Sequence, residues 1–152
     1  MIANLVCTIT KILEETHVSG QNLKLEITES ILIKNPEVTA QVLEQLQAQG
    51  VDILLDDFGT GHSSLSYLHR LPLAGLKIDR SFVQDAQHSE QSLAIMTTII
   101  ALAQRLKLNL IAEGIETESQ RRMLENLGCE LGQGYFWAKP LTRAEASAAL
   151  KR

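Results

Sequence analysis

The sequence predicts an α/β fold, part of a barrel with about five parallel strands and flanking helices. Two observations carry this. Segments with the period of a strand alternate with segments of helical period, and that order implies a parallel sheet with helices packed on it. Right-handed crossovers then leave an open doubly wound sheet or a barrel. The second observation separates them. Leu23, Leu25 and Ile27 oppose Lys24 and Glu26; Val51, Ile53 and Leu55 oppose Asp52, Leu54 and Asp56; Leu76 and Ile78 oppose Lys77 and Asp79; Leu108, Leu110 and Ala112 oppose Asn109, Ile111 and Glu113. An open sheet covered on both faces has continuous apolar strands, whereas a barrel wall can turn polar on its inner face toward the C-terminal rim.

Each element has its own signal. Residues 2–16 carry Ile2, Leu5, Val6, Ile9, Ile12 and Leu13 at helical spacing, and Gly20 ends that segment. Residues 23–27 (LKLEI) alternate as a strand does. Asn35 and Pro36 supply an N-cap and a proline at the first helical position for a helix to about residue 49, which Gly50 stops. The strand VDILLDD follows, with a short helix from residue 63 or 64 ending before Pro72. Residues 75–79 (GLKID) form a third strand and residues 86–107 a long helix with a broad apolar stripe. Residues 108–113 (LNLIAE) form a fourth strand. Thr117 and Gln120 make a capping box for a helix that Gly128 ends, residues 129–135 a weaker fifth strand, and Thr142 with Glu145 caps a final helix.

Composition sets the class. A chain of 152 residues is long enough for one domain with a core, and 45% hydrophobic with 21% charged residues is an ordinary globular balance. A net charge of −4 and the lack of a basic run argue against binding DNA through its phosphates. Cys7 and Cys129 are isolated in the sequence, which suggests buried thiols in a reducing compartment, with a disulfide or metal pair as the alternative. No apolar run has the length of a membrane span, and a cytoplasmic location is expected.

The parity pattern also converges chemistry. Glu26, Asp56, Lys77, Asp79 and Glu113 are expected to point inward near the rim, where barrel active sites are built. Asp57 stands beside Asp56 at a strand end that runs into Gly59 and Gly61. Several carboxylates within reach of one another need a counter-charge. Oxygen ligands in that number suit Mg²⁺ or Mn²⁺, and a metal pair suits a phosphoester substrate. GTGHSS lacks the lysine of a P-loop and reads as a turn. His17, His62, His69 and His88 lack metal-ligand spacing. Tyr135, Phe136 and Trp137 could pack in the core or stack on a base.

LKLEITES, DDFGTGHSSLSYLHRLPLAGLKIDRSFV, IAEGIETESQ and LGCELGQGYFWAKPL together resemble the EAL domain, the family of cyclic di-GMP phosphodiesterases, from about residue 22 to 141. The resemblance implies a cyclic di-GMP-specific hydrolase that opens one phosphodiester to linear pGpG by in-line attack of water, using two divalent metals. It implies that Glu26 and Asp56 bind one metal, and that Asp57 and Glu113 serve a second metal and its bridging water. Lys77 would hold or deprotonate the attacking water, with Asp79 and Glu116 beside it. Gln133 would lie near the substrate phosphate or the water. Glu29 would anchor the turn after Asp57, which in this family links the metal site to a dimer interface. His62 takes a position where the family more often has an aromatic residue.

A complete barrel of this kind needs roughly 250 residues. The expectation is therefore an incomplete (β/α)8 TIM-type barrel: residues 1–152 as a truncated EAL domain whose first strands, with the signature that names the family, are absent. Two sheet edges, at LKLEI and CELGQGY, are then open, which leads to an expected homodimer or swapped assembly. The alternative to an impaired phosphodiesterase is a non-catalytic nucleotide-binding or protein-interaction module in cyclic di-GMP signalling.

Overall fold

The computed structural model describes residues 3–59 and 68–150. A five-stranded sheet runs β1 (Lys24–Thr28), β2 (Asp52–Phe58), β3 (Gly75–Ile78), β4 (Asn109–Ala112) and β5 (Leu131–Gly132). The spatial order equals the chain order and all neighbouring pairs are parallel, as the alternation predicts. Helices α1 (Ala3–Thr16), α2 (Glu29–Lys34), α3 (Pro36–Gln47), α4 (Arg80–Asp85), α5 (Glu90–Leu106), α6 (Glu118–Asn126) and α7 (Arg143–Ala149) complete it.

The apolar parity builds the core. Ile27, Ile53, Leu55, Leu76, Ile78, Leu110 and Ala112 join one buried cluster with Leu43 and Leu46 of α3 and with Met96, Ile99, Ile100 and Ala103 of α5. Leu54 is buried yet lies outside that cluster, as its opposite parity requires. One face of the sheet is thus sealed by helices, and the other collects the polar parity. Removing this much apolar surface from water, at about 25 cal/mol per Å², is what fixes the strand faces and so the direction of the rim residues.

Several elements differ from the sequence reading. The long helix expected over residues 86–107 starts at Glu90, where the Ser89 hydroxyl accepts from Ser92 N. Before it lies α4, which Asp79 caps by accepting from Ser81 N. A further short helix, α2, follows β1 directly. The fifth strand is two residues, not seven: beyond Gly132 the chain folds over Ile115, whose N–H donates to Gln133 O while its carbonyl accepts from Phe136 N. The helix expected near residue 63 lies outside the described residues; a 3-10 turn at Leu68–Arg70 leads to Pro72. Cys129 is buried, but Cys7 is exposed on α1, so only one of the two expected buried thiols is one.

Candidate functional site

Four consecutive strands each deliver one side chain to a common point at the C-terminal rim. Lys77 of β3 is its centre. Its side chain is only 4% exposed, and Nζ lies 2.7 Å from Glu26 Oε2 (β1), 3.2 Å from Asp56 Oδ1 (β2) and 2.5 Å from Glu113 Oε1, just beyond β4. Burial alone pushes a lysine toward the neutral amine. Here that push is outweighed by hydrogen bonds to Glu113, Glu26 and Asp56, which hold Lys77 above the ordinary lysine range and keep it a cation. Of its two expected roles, holding a water suits a protonated amine better than deprotonating one.

Asp57 reaches the same place by a different route. Strict alternation would send it to the face opposite Asp56. The pairing of β2 with β3 instead shifts between Leu55 and Phe58, and Asp57 takes a left-handed backbone conformation at φ 54°. Aspartate tolerates that region better than bulky residues do. Asp57 N donates to Asp56 Oδ1 at 3.1 Å, closing the kink. As a result Asp56, Asp57 and Glu113 each offer one carboxylate oxygen, all within 4.8 Å of one another. This all-oxygen set fits a hard divalent cation, with Lys77 as its competitor for Asp56 and Glu113.

The electrostatics agree with that fit. Desolvation pushes the Asp57 carboxyl up, and the nearby charges of Asp56 and then Asp79 add to it; Lys77 opposes them more weakly. Glu113 is also raised, by burial first, against the pull of Lys77. Both shifts are led by burial, with like-charged neighbours adding to them, and a bound cation would oppose both.

The remaining predicted residues fall around this cluster. Gln133 follows β5 and donates from Nε2 to Glu113 Oε1 at 2.6 Å, so it orients a carboxylate. Asp79 has turned to α4, accepting from Ser81 N at 3.0 Å and Ser81 Oγ at 2.5 Å, but remains close enough to act on Asp57. Glu116 is exposed on the loop after β4 and lines an open cleft of about 360 Å³ together with Glu113, Gln133, Arg80, Tyr135 and Lys139. Glu29 opens α2 directly behind β1. The turn it was expected to anchor, and His62 within it, lie outside the described residues. Tyr135, Phe136 and Trp137 are exposed, which removes the core alternative for all three; Lys139 Nζ stands 5.8 Å from the Tyr135 ring centre. The sequence did not single out Arg80, whose place in the cleft follows from Gly114, where a Cβ would stand 2.5 Å from Arg80 Cβ.

Comparison with known proteins gives this rim its family. The model of the EAL domain matches residues 3–140. The chain belongs to the EAL domain family. It is 44% identical over 149 residues to the cyclic di-GMP phosphodiesterase NbdA of Pseudomonas aeruginosa, covering 98% of this chain and 19% of that protein. Among solved structures it is similar to the MucR phosphodiesterase of the same species in complex with cyclic di-GMP, with a TM-score of 0.91 and 42% identity over 95% of this chain and 58% of the other. It is also similar to a manganese and cyclic di-GMP complex of BlrP1 from Klebsiella pneumoniae, with a TM-score of 0.82 and 29% identity over 89% of this chain and 34% of that one. This EAL chain thus spans about a fifth of the curated phosphodiesterase and little more than half of the MucR structure.

Proposed function

We propose that this chain is the C-terminal part of an EAL domain that hydrolyses cyclic di-GMP to linear pGpG. The observation that carries the reading is the convergence of Glu26, Asp56 and Glu113 from three strands on a buried Lys77, with Asp57 kinked into the same cluster. A purely structural ion pair needs one carboxylate, and three around one lysine leave excess negative charge for a cation to meet. The names of the related complexes supply the substrate and a metal, cyclic di-GMP and manganese.

Two divalent ions, Mg²⁺ or Mn²⁺, would contribute Lewis-acid stabilisation of the phosphoryl oxygens and a lowered water pKa when bound. The chain's own residues do the rest. Glu26 and Asp56 would hold one ion, and Asp57 and Glu113 the other. Lys77 keeps the carboxylates paired and presents an ammonium proton to the attacking water. Asp79 and Glu116 flank it. Gln133 fixes Glu113 by the 2.6 Å hydrogen bond and would lie near the substrate phosphate or the water. Glu29 anchors the turn after Asp57.

The chain spans 58% of the MucR phosphodiesterase structure, which supports reading residues 1–152 as a truncated EAL domain without the first barrel strands. Turnover by the chain alone is then impaired, because missing ligands weaken a metal site. The open edges of β1 and β5 invite a homodimer or a swapped assembly, and the location is cytoplasmic; no described helix is long and apolar enough to cross a membrane. One observation favours a non-catalytic nucleotide-binding module instead: Lys77 competes with a cation for Glu26, Asp56 and Glu113. Incubation with cyclic di-GMP and Mn²⁺ separates the two. The phosphodiesterase reading expects pGpG from the wild type and none from Glu113→Ala; binding without product supports the module.

A further inference from the structure

The loop that carries Glu113 and Glu116 leaves β4 at Ala112 and enters α6 at Glu118, so its shape decides where both carboxylates sit. Its start is held by the sheet: Glu113 N donates to Ile78 O, and Ile115 N to Gln133 O. Its end is held by one side chain. Gln120 is 6% exposed, and its Oε1 accepts from Glu116 N at 2.8 Å and from Thr117 N at 3.0 Å. The second bond is an ordinary capping-box contact, with Thr117 Oγ1 accepting from Gln120 N in return. The first goes one residue beyond what a cap requires. It pins the backbone of Glu116 itself, whose carboxylate is exposed on the loop. A helix cap would do as well with an acceptor that reached Thr117 alone.

We propose that Gln120 is a positioning residue for the phosphodiesterase site, acting through the Glu116 amide to fix Glu116 and, through the short loop, Glu113. The inference rests on the functional reading above. Near-isosteric replacement by methionine keeps the buried volume and removes both accepted bonds, leaving two N–H groups without their acceptor. Glutamate keeps an acceptor on the same arm. Thr117→Ala removes the other half of the capping box and weakens the same helix end, yet leaves the Gln120 to Glu116 contact in place. The two halves of the box therefore separate positioning from capping.

The test measures kcat, KM, Tm and Mn²⁺ affinity for the full chain. Gln120→Met is expected to lower kcat about tenfold with KM within about twofold, since loss of a positioned group acts on the transition state more than on binding. Gln120→Glu is expected to recover most of that kcat, and Thr117→Ala to lower Tm at least as much as Gln120→Met while keeping kcat within about twofold. If kcat instead follows Tm across the three variants, Gln120 is only a cap and the proposal is overturned. Should Gln120→Met not fold, Gln120→Asn, whose shorter arm withdraws the carbonyl, takes its place. A wild type that turns over no cyclic di-GMP contradicts the functional reading, and Mn²⁺ titration then decides the positioning claim. Binding weakened by Gln120→Met and not by Thr117→Ala upholds it; equal binding in both overturns it.

Discussion

Asp56 and Asp57 are neighbours in sequence and meet opposite electrostatic conditions. Asp56 faces Lys77 at 3.2 Å, in a cluster where one buried cation serves three carboxylates. Asp57, turned by a left-handed backbone, is pushed up by desolvation and by Asp56 and Asp79, with Lys77 the weakest of the named influences. One side of the rim thus has its counter-charge built in, whereas at Asp57 desolvation and like charge outweigh the pull of Lys77. Lys77 therefore completes a folded core of charge, whereas Asp57 joins Asp56 and Glu113 in the oxygen set that could hold a cation.

Removing the built-in charge should have the largest effect. Lys77→Met leaves Glu26, Asp56 and Glu113 facing one another, and breaking such an arrangement costs about 3 kcal/mol, the lower end of the buried-pair range because Glu26 is 45% exposed. Chemical denaturation should show that loss, and added Mn²⁺ should restore part of it in the variant. An undiminished midpoint would erase the contrast between the two sides.

A smaller loss is expected where the loop under Glu113 is clasped by the chain after β5. A Cβ on Gly134 would stand 2.1 Å from Ile115 O, so Gly134→Ala must push the two segments apart. Overpacking of that kind costs about 1–3 kcal/mol, and thermal unfolding would measure it. Because Gln133 moves with Gly134, Mn²⁺ binding should weaken as well; a stable variant with normal binding would mean that the clasp does not set the site.

The smallest effect belongs to α6, away from the cluster. Glu118 is held down to about 2 by hydrogen bonds from Arg121 first and then Arg122. A depressed acid stabilises the fold above its unfolded pKa, and that contribution fades as pH falls through the window from 4.5 to about 2. The Tm difference between wild type and Glu118→Gln should therefore be small near pH 6, smaller near pH 3, and reduced by salt. A difference that grows toward acid would reverse the sign.

Much of this architecture was legible in the sequence because it depends on periodicity. Parity placed Glu26, Asp56, Lys77 and Glu113 on one face, and the observed register brings them together. The arrival of Asp57 could not come from parity, since a register shift and a positive φ are tertiary outcomes of the turn after β2. Helix α4 was hidden because six residues are too few to show a period, although Asp79 followed two residues later by Ser81 was a readable cap. The fifth strand is shorter than CELGQGY suggests because Gly134 must pack on Ile115, which ends the strand at Gly132. Gln120 was legible as a cap and not as the tie to Glu116, because a second accepted bond leaves no mark in spacing.

Manganese titration of Asp57→Asn against wild type tests the central claim most directly. Asparagine keeps the shape and tolerates the left-handed backbone, so the fold should hold, while like-charge crowding at the rim is relieved. The variant should be as stable as the wild type, or slightly more so, and bind Mn²⁺ at least tenfold more weakly. Undiminished Mn²⁺ affinity in a folded Asp57→Asn chain would contradict it.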